Sequence, residues 1–202
     1  MYKELIKDSL WVIEDFLSPE EFDTMYNQYV TAQFDDMLHV NNQKFKPLMA
    51  DTDMSYRVVT MDLYKPIYKK LNQLSIDRFG CEMPEEKFHG LNMQYKRFYP
   101  GDFYALHAEN NKIYGDMVYV LYLSDEVDGD IEFPSLEDAK LEWSDGFQQM
   151  TEMFDVSFAD KTFKFTPKKN TCIVMRTGVA HLVRPCSGQR HSIAGWPWFK
   201  RK

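Results

Sequence analysis

Three cysteines in 202 residues, Cys81, Cys172 and Cys186, with no C-x-x-C pair among them, exclude a disulfide framework and point to a reducing compartment. Long apolar runs are missing too. Residues 1–16 scatter charges among their hydrophobic positions and lack the continuous apolar stretch of a signal peptide, and no later run approaches a membrane span. The expected setting is therefore soluble and cytoplasmic, with no membrane partner. Positive charge is scarce: 24 Lys and Arg against 31 Asp and Glu give a formal charge of -7. That balance disfavours a nonspecific grip on phosphate backbones and argues against nucleic acid as the main partner. Internal repeats, low-complexity tracts and linker-like stretches are absent, so one domain over 1–202 is expected. With 44% hydrophobic and 15% aromatic residues it has the material for a sizeable core.

What is present divides into a helical support and loop region, 1–90, and a strand-rich region, 91–199. Residues 10–17 read as a short strand, followed by a helix start at Ser18-Pro19-Glu20-Glu21. There Ser18 can cap, Pro19 suits the first helical position and Glu21 completes a capping box. Phe22, Met25, Tyr26, Tyr29 and Val30 fall on one helical face, an aromatic stripe that reads as core. Residues 35–56, with His39, Asn41, Asn42 and Pro47, show no clean period. They read as a long loop with room for one short strand, a plain surface loop or a lid over a substrate entrance. A second helix is expected from Lys65-Pro66, burying Ile67, Leu71 and Leu74 and stopping at Gly80, with His89 and Gly90 in a following turn.

From residue 91 the pattern is short strands separated by Gly, Asn or Asp: 91–99, 103–109, 117–123, 131–133, 163–166, 171–175, 182–183 and 191–199. Residues 135–160 interrupt it with seven acidic residues and a single lysine, Lys140. They read as an insertion, partly helical around 146–154, serving as a solvated flap or a substrate-selecting wall. The fold class is mainly β with flanking helices, its core a two-sheet jelly roll or cupin-like barrel. Lys200-Arg201-Lys202 reads as a solubilising tail.

The chain is organised around residues 181–199, HLVRPCSGQRHSIAGWPWF, which read as the two strands of a hairpin about a polar Ser187-Gly188-Gln189 turn. His181 sits just past a Gly178 turn, where a side chain can enter a site. Arg190 opens the second strand, and a forked, permanent cation at the mouth of a β-layer calls for an anion, by geometry a carboxylate. Taken singly, a strand histidine or arginine is more often structural. Upstream, however, His107 and Glu109 lie two apart in a strand-like run and project to one face. His107, Glu109 and His181 together make a 2-His-1-carboxylate face, which suits non-haem Fe(II) with open positions.

Tyr99-Pro100-Gly101, His107-x-Glu109, residues 119–124 (YVLYLS), residues 129–134 (GDIEFP), and His181-x-Val183-x-Pro185 through Arg190, Ile193 and Trp196 resemble, in order and spacing, the Fe(II)/2-oxoglutarate-dependent dioxygenases. The likeness is strongest to the prolyl hydroxylases, including the hypoxia-sensing type, and covers about residues 90–199. It implies a double-stranded β-helix core with His107, Glu109 and His181 as catalytic Fe(II) ligands. It further implies 2-oxoglutarate chelated to the metal, its distal carboxylate on Arg190 with the Tyr122 hydroxyl as second donor, Tyr99 and Ser192 as further contacts, and Trp196 as a wall. Trp198 reads as core. O2 takes the last metal position, and ascorbate is an expected supporting reductant.

The implied reaction is hydroxylation of an unactivated carbon, first of all in a prolyl residue of a protein or peptide, with release of succinate and CO2. One position departs from the family pattern: Glu109 stands where the family has aspartate, and its extra methylene must be absorbed by a rotamer or backbone shift. Two rivals stay open. One is the same chemistry on an amino acid or other small molecule; the other, of a different class, is a non-catalytic jelly-roll binding module that needs no iron. Nucleic-acid demethylation is disfavoured by the acidic charge and by the lack of a second arginine after Arg190 on that strand.

Overall fold

Both faces of the central strands are apolar, and that dictates layers. In Met117–Tyr122, Met117, Tyr119 and Leu121 enter one buried cluster while Val118, Val120 and Tyr122 pack into another. In Cys172–Arg176, Cys172 and Val174 go one way and Ile173 and Met175 the other. A strand covered on both faces has no solvent side, so these strands lie mid-molecule with a layer on each side.

The structure, a computed structural model, describes residues 2–29, 38–40, 54–58, 61–85, 93–109, 115–126, 128–153 and 155–199. Within them the elements run β1 (Tyr2–Ile6), β2 (Leu10–Ile13), α1 (Pro19–Tyr29), β3 (Leu38–Val40), β4 (Met54–Val58), α2 (Met61–Phe79), β5 (Met93–Phe98), β6 (Tyr104–His107), β7 (Met117–Tyr122), β8 (Ile131–Phe133), α3 (Leu136–Glu142), α4 (Ser144–Met153), β9 (Phe163–Phe165), β10 (Cys172–Arg176), β11 (His181–Val183) and β12 (Arg190–Gly195). An eight-stranded sheet has the order β1-β2-β10-β7-β12-β5-β4-β3, and a four-stranded sheet the order β6-β11-β8-β9, with antiparallel neighbours. Phe98, Tyr104, Val118, Phe133, Ile173 and Val183 fill the space between them. This is the double-stranded β-helix expected from the sequence. Helices α1 and α2 cover the outer face of the large sheet through Met25, Tyr29, Ile67 and Leu71, packed on Tyr95 and Tyr119. Helices α3 and α4 cover the small sheet through Ala139 and Met150 against Leu106 and Leu182. Each fully buried Leu, Ile or Met here contributes about 1.5–3 kcal/mol relative to exposure.

Local signals fared well where the chemistry is local. The Ser18 N–H donates to Glu21 Oε2 at 2.9 Å and the Glu21 N–H to Ser18 Oγ at 3.2 Å, a reciprocal capping box that starts α1. Phe22, Met25 and Tyr29 are buried as expected and Tyr26 partly so, while Val30 lies outside the described residues. Gly80 ends α2 at φ 62°, its N–H donating to Ile76 O at 3.0 Å, a left-handed cap that glycine adopts freely.

Several expectations are corrected. Helix α2 begins at Met61, a turn before Lys65-Pro66, and carries Pro66 inside it, tolerated near the start because one backbone bond is lost there. The first expected strand stops at Ile13, since Asp15 turns the chain at φ 50°, and β2 pairs with an additional strand, β1. Within 35–56 two short paired strands, β3 and β4, extend the large sheet. The rest of that segment, with Asn41, Asn42 and Pro47, and the turn at His89 and Gly90 lie outside the described residues, as do residues 200–202. The insertion holds two helices rather than one, because Ser135 caps α3 by accepting from the Asp138 N–H. Most consequential, β11 and β12 do not form a hairpin: they belong to different sheets, and residues 184–189 cross from one to the other. Among the described residues no helix is long and apolar enough to cross a membrane.

Candidate metal centre

The two histidines meet because the small sheet pairs their strands. In the β6–β11 register His107 stands opposite His181, and the two rings lie 4.2 Å apart between centroids. Each ring is aimed by its own backbone: His107 Nδ1 lies 2.7 Å from Ala105 O and His181 Nδ1 2.9 Å from Val179 O. A carbonyl only accepts, so Nδ1 carries the hydrogen and the Nε2 lone pair of each ring is left for another partner. Both Nε2 atoms face Glu109 Oε1, at 4.0 Å from His107 and 3.7 Å from His181.

Glu109 is not on the strand, as the sequence pattern suggested. β6 ends at His107, and the carboxylate arrives from the segment just beyond, whose Glu109 O accepts the Gly178 N–H at 3.0 Å. The methylene by which Glu exceeds Asp is thus taken up in irregular backbone. Trp196 Nε1 donates to Glu109 Oε1 at 3.5 Å, while Oε2 is buried with no hydrogen-bond partner among the described residues. One atom from each of His107, Glu109 and His181 lies within 4.8 Å of the others, an arrangement able to hold a metal ion. Burial first, and the neighbouring His181 second, push His107 down to about 4, so its ring is neutral and ligating at neutral pH. Burial acts to raise Glu109, but His181 and His107 outweigh it and hold the carboxyl below its ordinary range. Two imidazoles and a carboxylate with a buried orphan oxygen fit a borderline divalent cation such as Fe(II).

A second feature lies on the inner face of the large sheet. Arg190, which opens β12, is 1% exposed, yet among the described residues it has no ion pair. One terminal nitrogen reaches Arg184 O at 3.4 Å, the guanidinium lies 5.2 Å from the Phe98 ring centroid, and Nε is buried without a partner. Gly129, at φ 73°, makes room for it: a Cβ there would collide with the guanidinium. Ser192, two residues along, pairs in register with Tyr122 on β7 and Lys96 on β5, so Arg190, Ser192, Tyr122 and Lys96 share the inner face. Burial raises the Tyr122 phenol well above its ordinary value, with Arg190 opposing, so it stays a neutral donor. A buried guanidinium without a carboxylate, beside a neutral phenol, fits an anionic ligand.

Of the residues expected at the site, His107, Glu109, His181, Trp196, Arg190, Ser192 and Tyr122 come together around the inter-sheet space. Tyr99 lies in the turn after β5, its N–H donating to Asp102 Oδ2 at 2.7 Å. Tyr104 joins the site as well, its ring 5.3 Å from that of His107 and its hydroxyl 3.4 Å from Lys96 Nζ. Sequence reasoning missed Tyr104 and Lys96. The available signal was the alternation of β5, in which Lys96 and Phe98 point away from the Tyr95 face.

Comparison with known proteins agrees with this geometry. A family model described as the 2OG-Fe(II) oxygenase superfamily matches residues 93–198. No curated protein sequence matches. Among solved structures, a prolyl-4-hydroxylase from Pseudomonas putida superposes with a TM-score of 0.65 at 14% identity, covering 96% of this chain and 93% of that one. The viral collagen prolyl hydroxylase of Paramecium bursaria Chlorella virus-1, solved with 2-oxoglutarate, gives 0.58 at 15% identity over 96% and 97%. A Trichoplax adhaerens prolyl hydroxylase in complex with a peptide of the hypoxia inducible factor oxygen degradation domain gives 0.60 at 13% identity over 95% and 84%.

Proposed function

The chain belongs to the 2OG-Fe(II) oxygenase superfamily, and from that premise we propose that it hydroxylates an unactivated carbon of a prolyl residue in a protein or peptide. The observation that carries the reading is the convergence of two Nε2 lone pairs and a carboxylate with an orphaned oxygen, in a fold whose inner sheet face also holds a buried guanidinium with no ion pair among the described residues. In this reading His107, Glu109 and His181 hold Fe(II), and their Nδ1–H bonds to Ala105 O and Val179 O keep both rings in the ligating tautomer. Arg190 takes the distal carboxylate of 2-oxoglutarate by a charge-assisted pair, and the Tyr122 hydroxyl adds a directional donor, with Ser192 between them.

When bound, iron with 2-oxoglutarate and O2 supplies the oxidation: one oxygen atom enters succinate as CO2 leaves, and the other enters the substrate C–H bond as hydroxyl. Ascorbate supports it by keeping the iron ferrous. The protein orients these groups and keeps water out, Trp196 over Glu109 and Phe133 beside His181, whose rings lie 6.0 Å apart. The prolyl substrate is supported by likeness to prolyl hydroxylases over nearly the whole chain, one of them solved with a peptide. The insertion, anchored by α3 and α4 on the small sheet, supplies a wall for a bound peptide, and residues 1–202 act as one oxygenase domain.

Incubation with Fe(II), ascorbate, 2-oxoglutarate, air and proline-containing peptides tests the reading. Peptide-stimulated succinate and a peptide one oxygen heavier at proline are expected, both lost in His181→Ala. Oxygen appearing only on another residue or on a free amino acid would sink the prolyl assignment and leave the oxidation chemistry standing.

A further inference from the structure

Lys96 is a charged side chain at this site for which the oxidation chemistry has no use. It projects from β5 opposite Ser192 onto the inner face of the large sheet. Its Nζ lies 3.4 Å from the Tyr104 hydroxyl, 5.3 Å from the centroid of the Tyr104 ring and 4.8 Å from that of Trp196. Each wall of this clamp touches a member of the trio: the Tyr104 ring lies tilted, 5.3 Å from that of His107, and Trp196 donates to Glu109. The ammonium is thereby held at the edge of the metal centre.

Its donors are not used up. An ammonium has three N–H donors; Tyr104 accepts one, aromatic faces offset the charge without accepting strong hydrogen bonds, and Lys96 makes no ion pair among the described residues. The charge balance points the same way. Iron and 2-oxoglutarate would cancel, as would Glu109 and Arg190, which leaves the Lys96 charge over. Both carboxylates of 2-oxoglutarate are already matched, one by the metal and one by Arg190, so the missing anion belongs to the other substrate. Holding a half-buried cation without one has a cost, and an apolar residue would fill the same position more cheaply.

We infer that Lys96, Tyr104 and Trp196 form a subsite for a carboxylate of the molecule being oxidised, so that a free carboxyl group or an Asp or Glu side chain lies beside the reacting carbon. The inference rests on the oxygenase reading above and narrows its substrate to acidic ones.

Anaerobic calorimetry on protein loaded with Mn(II) and 2-oxoglutarate tests it without turnover. Two matched probe pairs separate the sources of the carboxylate: N-acetyl-L-proline against its amide for a terminal carboxyl, and acetyl-Ala-Pro-Asp-amide against acetyl-Ala-Pro-Asn-amide for an acidic peptide. In at least one pair the carboxylate member should bind about tenfold or more tightly, as expected for a partly buried charge pair. Lys96→Met should bring that ratio to about one, and Lys96→Arg should restore part of it. The pair that discriminates names the source. Absence of any carboxylate preference in the wild type, whether the probes bind equally or not at all, overturns the inference, and so does a preference that survives Lys96→Met. Binding of Mn(II) and 2-oxoglutarate in the same titrations keeps the two readings apart: if these bind and the pairs do not discriminate, only the Lys96 subsite falls, whereas if these fail to bind the oxygenase reading falls.

Discussion

Arg190→Met should make the ligand-free protein more stable while removing its response to 2-oxoglutarate. The guanidinium is 1% exposed, unpaired by any carboxylate among the described residues and orphaned at Nε. Leaving a charge so buried costs several kcal/mol. Against that stand the cation–π contact with Phe98, worth about 0.5–2 kcal/mol, and a long hydrogen bond to Arg184 O, worth at most about 1 kcal/mol. Methionine fills most of the same volume, with a packing cost below about 1.5 kcal/mol. The balance favours the variant by about 1–2 kcal/mol, which in a domain of this size raises Tm by about 2–8 °C. In the wild type, 2-oxoglutarate at a hundredfold excess over its Kd adds about 2.7 kcal/mol, a further rise of about 5–11 °C. Scanning calorimetry on Mn(II)-loaded protein, with and without 2-oxoglutarate, reads both effects. A variant less stable than wild type without ligand, yet still shifted by 2-oxoglutarate, would refute the assignment of Arg190 as an anion-binding group held at a cost.

Gly129→Ala places a Cβ against the Arg190 guanidinium and 2.7 Å from Cys186 Cβ at a positive φ. Calorimetry should find 2-oxoglutarate affinity reduced about tenfold or more, with stability down by about 1–3 kcal/mol; unchanged affinity would separate Gly129 from the cosubstrate pocket. Burial, and then Arg97, pull His191 down to about 4, so the folded protein resists a proton that the unfolded chain accepts at its ordinary value near 6.5. This stability is present in full above about pH 6.5 and is lost as pH falls toward 4, about 2 kcal/mol of it by pH 5. Urea unfolding of the metal-free protein at pH 7 and pH 5 should find the difference roughly halved in His191→Gln, because His107 titrates over the same window. Ser18→Ala removes the α1 capping box and should cost about 1 kcal/mol in urea unfolding, with 2-oxoglutarate affinity unchanged.

What could be read from the sequence was what neighbouring residues decide among themselves. Ser18 and Glu21 find each other within one turn, Gly80 needs only its own φ, and the strands of the core announce themselves by β-branched and aromatic runs. Residues 131–133 form a strand at the expected bounds. Pairing is not local, and there the reading failed: residues 181–199 contain two strands and a turn, as in a hairpin, but which sheet each strand joins depends on partners 70 or more residues away, Tyr104–His107 for one and Met117–Tyr122 for the other. The trio was legible because His107-x-Glu109 and His181 carry a recognisable spacing, although Glu109 reaches the site from beyond its strand. Lys96 was hidden for the opposite reason. A lone lysine in a strand reads as a solvent-facing residue, and only a sheet covered on both faces turns it inward.

The central claim is that His107, Glu109 and His181 form one Fe(II) site. Anaerobic calorimetry of Fe(II) into the wild type, His181→Ala and Glu109→Ala tests it most directly. The account predicts one ferrous ion per chain in the wild type and loss of that binding in both variants, each still folded by circular dichroism. Fe(II) binding of equal strength in the wild type and both variants would contradict it.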